Sequence, residues 1–124
     1  MHKISLASKL SEFTDHWSPK IVAQLNGQHV KLVKFAGEFV WHKHDGEDEL
    51  FLVIDGSFTM EYREAGEQHS IAVNAGEFLV VPRGVEHRPV AAAQVSVLLF
   101  EPCTTQNTGD AADSPLTVAS PAWL

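Results

Sequence analysis

Three side chains in one short stretch have the types and spacing to hold a metal ion. Residues 37–56, GEFVWHKHDGEDELFLVIDG, carry His42, His44 and Glu49. In a β-strand, side chains two apart point to the same face. His42 and His44 would then face one way, with Cα atoms roughly 6.6 Å apart along the strand. Imidazole nitrogens bind metals at about 2.0–2.1 Å, so one ion fits between the two rings. Asp45-Gly46-Glu47-Asp48 reads as a four-residue hairpin loop. Such a loop returns Glu49 beside His44, since cross-strand Cβ atoms lie about 4.5–5.5 Å apart.

The elements that position this group are mostly short strands. Leu6, Leu10, Phe13 and Trp17 form an apolar stripe that predicts a helix over 5–17, with Ser5 as its cap and Pro19 as its stop. From Lys20 the apolar period changes to two. Asn26-Gly27 signals a hairpin between strands at 21–25 and 29–35. Further strands are predicted over 39–43, 50–54, 57–63, 70–73, 77–81 and 95–100. If Glu49 points inward, Phe51 and Val53 follow it, and Leu50, Leu52 and Ile54 point outward. Phe39 and Trp41 are expected on the face opposite His42 and His44. With both faces apolar, this hairpin calls for a cover on each side: the helix, a second sheet or a partner subunit. Pro82-Arg83-Gly84 makes a sharp turn that delivers His87 to the next strand. Beyond Glu101, Thr, Asn, Gly, Asp, Ser and Pro predict an irregular tail, pinned by Leu116, Val118 and Trp123.

Short strands with turn signals every 8–12 residues argue for a β-sandwich or barrel. The length, 124 residues, suits one domain. We divide residues 1–124 into an N-terminal helix (1–19), a barrel (20–101) and a tail (102–124). The net charge of -7 argues against nucleic acid or anionic lipid as partners. No apolar run approaches the roughly 18 residues of a membrane span. The opening MHKISLASKLSEF lacks the continuous apolar run of a signal peptide. Cys103 has no internal partner for a disulfide. The expected location is the cytoplasm.

The spacings resemble both signature motifs of the cupin superfamily. His42, His44, Glu49 and Gly56 match the first motif, and Gly76, Pro82, Gly84 and His87 match the second. Gly37 lies one residue closer to His42 than the family pattern has it, and Ala91 stands where the family often has Asn. The resemblance covers 37–91. It implies an all-β fold, a double-stranded β-helix or cupin jelly-roll barrel. It also implies a metal held by His42, His44, Glu49 and His87 inside that barrel, and a homodimer.

Three imidazoles and a carboxylate suit a divalent transition metal (Fe, Zn, Ni, Mn or Cu) better than calcium or magnesium. Other polar residues read as surface. Asp45, Glu47 and Asp48 make a solvated turn, Arg83 and Arg88 are surface charge, and His16, His29 and His69 share no ligand spacing. Tyr62 and Cys103 have no catalytic partner. The expected activity is a metal-dependent enzyme on a small polar molecule, dioxygenase-like first and sugar-isomerase-like second. A non-enzymatic, metal-containing binding protein is the alternative, and a metal that only staples the barrel is a third reading.

Overall fold

In the computed structural model, residues 1–111 and 114–124 are described. Ala112 and Asp113, which fall in the expected tail, lie outside the described residues. Asn26 and Gly27 both take left-handed backbone angles, φ 49° and 73°, which a tight hairpin requires. They join β1 (Lys20–Leu25) to β2 (Gln28–Glu38). The other strands are β3 (Glu49–Asp55), β4 (Ser57–Glu64), β5 (Glu67–Asn74), β6 (Phe78–Val81), β7 (Glu86–Pro102) and β8 (Ala122–Trp123). One sheet runs in the order β5-β4-β7-β2-β1-β8, and β3 pairs with both β7 and β6. The sheet keeps open edges and does not close on itself.

Strand β7 holds the assembly together. From Val90 to Pro102 it runs antiparallel to β2, from Gln28↔Pro102 to Glu38↔Val90. On its other edge β4 pairs with its first part and β3 with its last part. The switch falls at exposed Ala92, Ala93 and Gln94, where the β2 register slips between Phe35 and Gly37. Extra residues in one strand bend it and let it serve two neighbours.

Alternation sets which face is inside. Val33 and Phe35 of β2, Phe51 and Val53 of β3, Phe58 and Met60 of β4, and Val97 and Leu99 of β7 are buried in one cluster. Full burial of such a side chain stabilises the fold by about 1.5–3 kcal/mol. A second cluster of Phe13, Val22 and Leu32, joined by Leu6, Leu10 and Leu98, lies where the N-terminal segment covers the outer face. That cover stops short of β6, whose Phe78 and Val80 stay 63% and 50% exposed.

Several expectations need correction. The helix is α1 (Leu6–Leu10) alone, although Ser5 does cap it, accepting from the Ser8 amide at 3.2 Å. A run this short cannot hold itself, and Phe13 and Trp17 bury themselves from non-helical chain instead. Trp17 takes φ 58°. No strand forms over 39–43. That segment lies beside the start of β7, and β3 pairs with β6 and β7 instead of forming a hairpin with it. Phe39, His42 and His44 are all buried, a spacing that does not fit period two. Phe39 therefore shares the inside with His42, 5.3 Å between ring centroids. Strand β7 begins nine residues earlier than 95, and β5 spans Glu67–Asn74. The polar residues of β5 and Pro89 in β7 hid both extensions. The tail does carry β8, paired parallel with β1.

Candidate metal centre

The segment holding His42 and His44 is fixed by backbone hydrogen bonds to the strand that holds His87. The amides of His42 and His87 each donate to the other's carbonyl, at 3.1 and 2.8 Å. The Phe39 amide donates to the Pro89 carbonyl, and the Gly84 amide donates to the His44 carbonyl at 2.7 Å. The sharp turn at 82–84 thus sets His44 directly. Glu49 opens β3 on its inward face.

His42, His44, Glu49 and His87 are all buried, and one donor atom from each lies within 4.8 Å of the others. His42 Nδ1 sits 2.9 Å from the Val40 carbonyl oxygen, and His87 Nδ1 sits 2.8 Å from that of Val85. A carbonyl only accepts, so both Nδ1 atoms carry a proton, and in the neutral ring that leaves the Nε2 lone pair free to bind a metal. This is how metal-binding imidazoles are oriented. Glu49 Oε1 lies 2.9 Å from His44 Nε2 and 3.2 Å from His87 Nε2. Neither contact has the angles of a hydrogen bond, and all three atoms are buried without one. Buried polar atoms are rarely left so. Convergent donors aimed at a shared point fit a metal ion.

Charge around the group is uneven. Burial, with the neighbouring His87, pushes His42 down to about 4. Burial also opposes a proton on His44, but Glu49 beside it prevails and holds it above the ordinary imidazole range. Burial likewise opposes charge on Glu49, yet contacts with His44, His87 and Glu101 hold its carboxyl well below the usual range. Burial and the charge of Glu49 push Glu101 well up, against the pull of Lys31. Lys31 Nζ donates to Glu101 Oε1 at 2.8 Å in a buried pair, and Glu101 Oε2 has no hydrogen bond.

A cavity of about 30 Å³ adjoins the group, lined by His42, Glu49 and Glu101 on one side and by Trp17, Phe35 and Phe39 on another. That volume accommodates water-sized occupants. The Trp17 indole stacks on Phe35 and Phe39 at 4.5 and 4.7 Å and donates to the Ala36 carbonyl.

All four expected site residues come together. The other polar candidates lie apart. Asp45 pairs with Lys43, Asp48 with Arg83, and Arg88 with Glu61 and Glu38. Tyr62 stacks on His69, and Cys103 is an exposed free thiol. The reading of the sequence missed Lys31 and Glu101. Their signal was period two: Lys31, Val33 and Phe35 share a face, as do Val97, Leu99 and Glu101.

The fold and site define a small β-protein with a histidine–glutamate donor cluster in its interior. The family model described as "Cupin domain" matches residues 28–101, and the chain belongs to the cupin family. A cupin-2 domain containing protein from Shewanella frigidimarina is 41% identical, with TM-score 0.75, over 80% of this chain and 93% of that one. "Uncharacterized protein YdbB" of Bacillus subtilis is 28% identical over 68% of this chain and 70% of its own length. Acireductone dioxygenase of Rhodopseudomonas palustris is 34% identical over 48% of this chain, and the match spans 37% of that enzyme. Among the described residues, no helix is long and apolar enough to cross a membrane.

Proposed function

We propose that this cupin is a metal-dependent enzyme whose centre is His42, His44, Glu49 and His87, with dioxygenase-like oxidation of a small molecule as its reaction class. The observation that carries this reading is the convergence of four buried donors, three of whose polar atoms lack a hydrogen bond. A divalent transition metal (Fe, Zn, Ni, Mn or Cu) would supply Lewis acidity or redox chemistry there. The chain's own residues do the rest. Val40 and Val85 lock two imidazoles with Nε2 forward, Glu49 brings the negative charge, and Trp17, Phe35 and Phe39 wall one side of the adjoining cavity. The acireductone dioxygenase match supports oxidation over sugar isomerisation. So does the lining: among the described residues of the cavity wall there is no lysine or arginine to meet a phosphate.

A second reading, a non-enzymatic metal-containing binding protein, meets the same small cavity, which any ligand larger than water must enlarge by displacing neighbouring side chains. Elemental analysis of the purified protein, then anaerobic loading with iron and oxygen-uptake assays, separates the two. Substrate-dependent oxygen uptake seen only in the iron form supports the enzyme. A metal-loaded protein that binds small molecules without turnover supports the binder. We also propose that residues 1–124 act as a single domain, as a homodimer, in the cytoplasm. The exposed Phe78 and Val80 support the dimer, and the free Cys103 thiol supports the compartment.

A further inference from the structure

Lys43 stands between two of the proposed ligands, and its backbone is held by the tail. In extended chain, successive backbone amides point to opposite sides. The backbone of His42 and His44 turns toward the His87 strand and the 82–84 turn. That of Lys43 turns the other way. Its amide donates to Asp110 Oδ1 at 2.8 Å, and the Asp110 amide donates to the Lys43 carbonyl at 3.2 Å. This reciprocal pair does for one residue what a neighbouring strand would do.

Gly109 makes the approach possible. A Cβ there would stand 2.3 Å from the Lys43 carbonyl oxygen and 3.1 Å from His42 Cδ2. Its φ of 51° is also one that favours glycine. Behind it the tail is anchored. Thr108 is fully buried and hydrogen-bonds Thr117 at 2.6 Å, and Asn107 donates to the Leu116 carbonyl at 2.8 Å. The segment is therefore a packed wall against the imidazole of His42.

We propose that Gly109 and Asp110 are positioning residues of the metal centre, clamping Lys43 so that His42 and His44 converge. This inference rests on the metal reading above. Outer-shell partners of metal ligands typically change affinity by about 10–100-fold when removed.

The test uses the full chain with cobalt(II) as probe, read by binding affinity and by the visible absorption of the bound ion, which reports its coordination. Asp110→Ala and Gly109→Ala should each weaken cobalt binding at least tenfold and alter the spectrum. Asp110→Asn keeps an oxygen to accept from the Lys43 amide, so it should stay within about threefold of the parent protein. Circular dichroism checks that each variant is folded. Wild-type affinity and spectrum in both Asp110→Ala and Gly109→Ala overturn the clamp and leave the metal reading standing. Equal losses in Asp110→Asn and Asp110→Ala also overturn it, because the charge of Asp110 would then matter and its hydrogen bond would not. A parent protein that takes up no cobalt overturns both.

Discussion

Lys31 and Glu101 meet on the inner face of β2 and β7, Nζ 2.8 Å from Oε1, and each is nearly free of solvent, at 2% and 1% exposure. Glu101 lies diagonally across the ladder from Lys31, whose direct partner is Leu99. Both groups gave up hydration to sit there, and each now depends on the other as its hydrogen-bond partner. Lys31→Met should therefore destabilise the protein by about 1–3 kcal/mol, because it leaves the buried Glu101 carboxyl, already pushed well up, without its hydrogen-bond partner. Replacing both with Met should restore most of that loss. Chemical denaturation of the single and double variants checks the coupling; equal stability of the single variant and the parent would contradict it.

His44→Ala should remove the metal, lowering affinity by more than about a hundredfold, since it deletes a donor and not merely its support. His29→Ala should leave metal content unchanged, because that ring lies against Trp123, 5.8 Å between centroids, and outside the donor group. Elemental analysis of the two variants side by side makes the comparison. Full occupancy in His44→Ala would end the assignment.

Acid should weaken the metal-free protein through His42. Its folded pKa of about 4 lies below the ordinary imidazole value. The unfolded chain therefore binds the extra proton first, and stability falls as pH drops from about 6.5 toward 4. The loss is on the order of 3 kcal/mol. His44 works in the opposite sense: raised by Glu49, it adds stability in acid that is lost as pH rises through its folded value. The two are separated by His42→Phe, which should flatten the decline between pH 6.5 and 4 in denaturation curves taken without metal.

Removing the metal should leave the chain folded, because the large apolar cluster around Phe35, Phe51 and Val97 does not depend on the donors. Binding at a hundred times Kd adds about 2.7 kcal/mol. For a chain of this size that corresponds to a Tm higher by roughly 10 °C. Calorimetry with and without chelator measures it. Unfolding on chelation would instead favour the stapling reading.

The donor set was legible because each ligand type sits at a constrained offset from the others: His42 and His44 two apart, Glu49 after the acidic turn, His87 after Pro82-Arg83-Gly84. How they meet was not. A hairpin over 39–54 is the simplest local solution. The structure instead lays the first half of that stretch beside His87, a pairing set by long-range packing that no local pattern encodes. Inward Phe51 and Val53 followed from period two. Asp110 was hidden for the opposite reason. A stretch rich in Gly, Asp and Thr reads as loop, and nothing in its composition tells an idle loop from one braced on a ligand segment.

Strand β7 pairs with β2, β3 and β4, which has a consequence for birth on the ribosome. Until the segment up to about residue 102 has emerged, the three earlier strands lack their common neighbour and the interior cannot close. Such distant pairings make folding slow. His42, His44 and Glu49 leave the exit tunnel long before His87 finds its place, so a nascent chain would meet cellular metals with an unfinished claw.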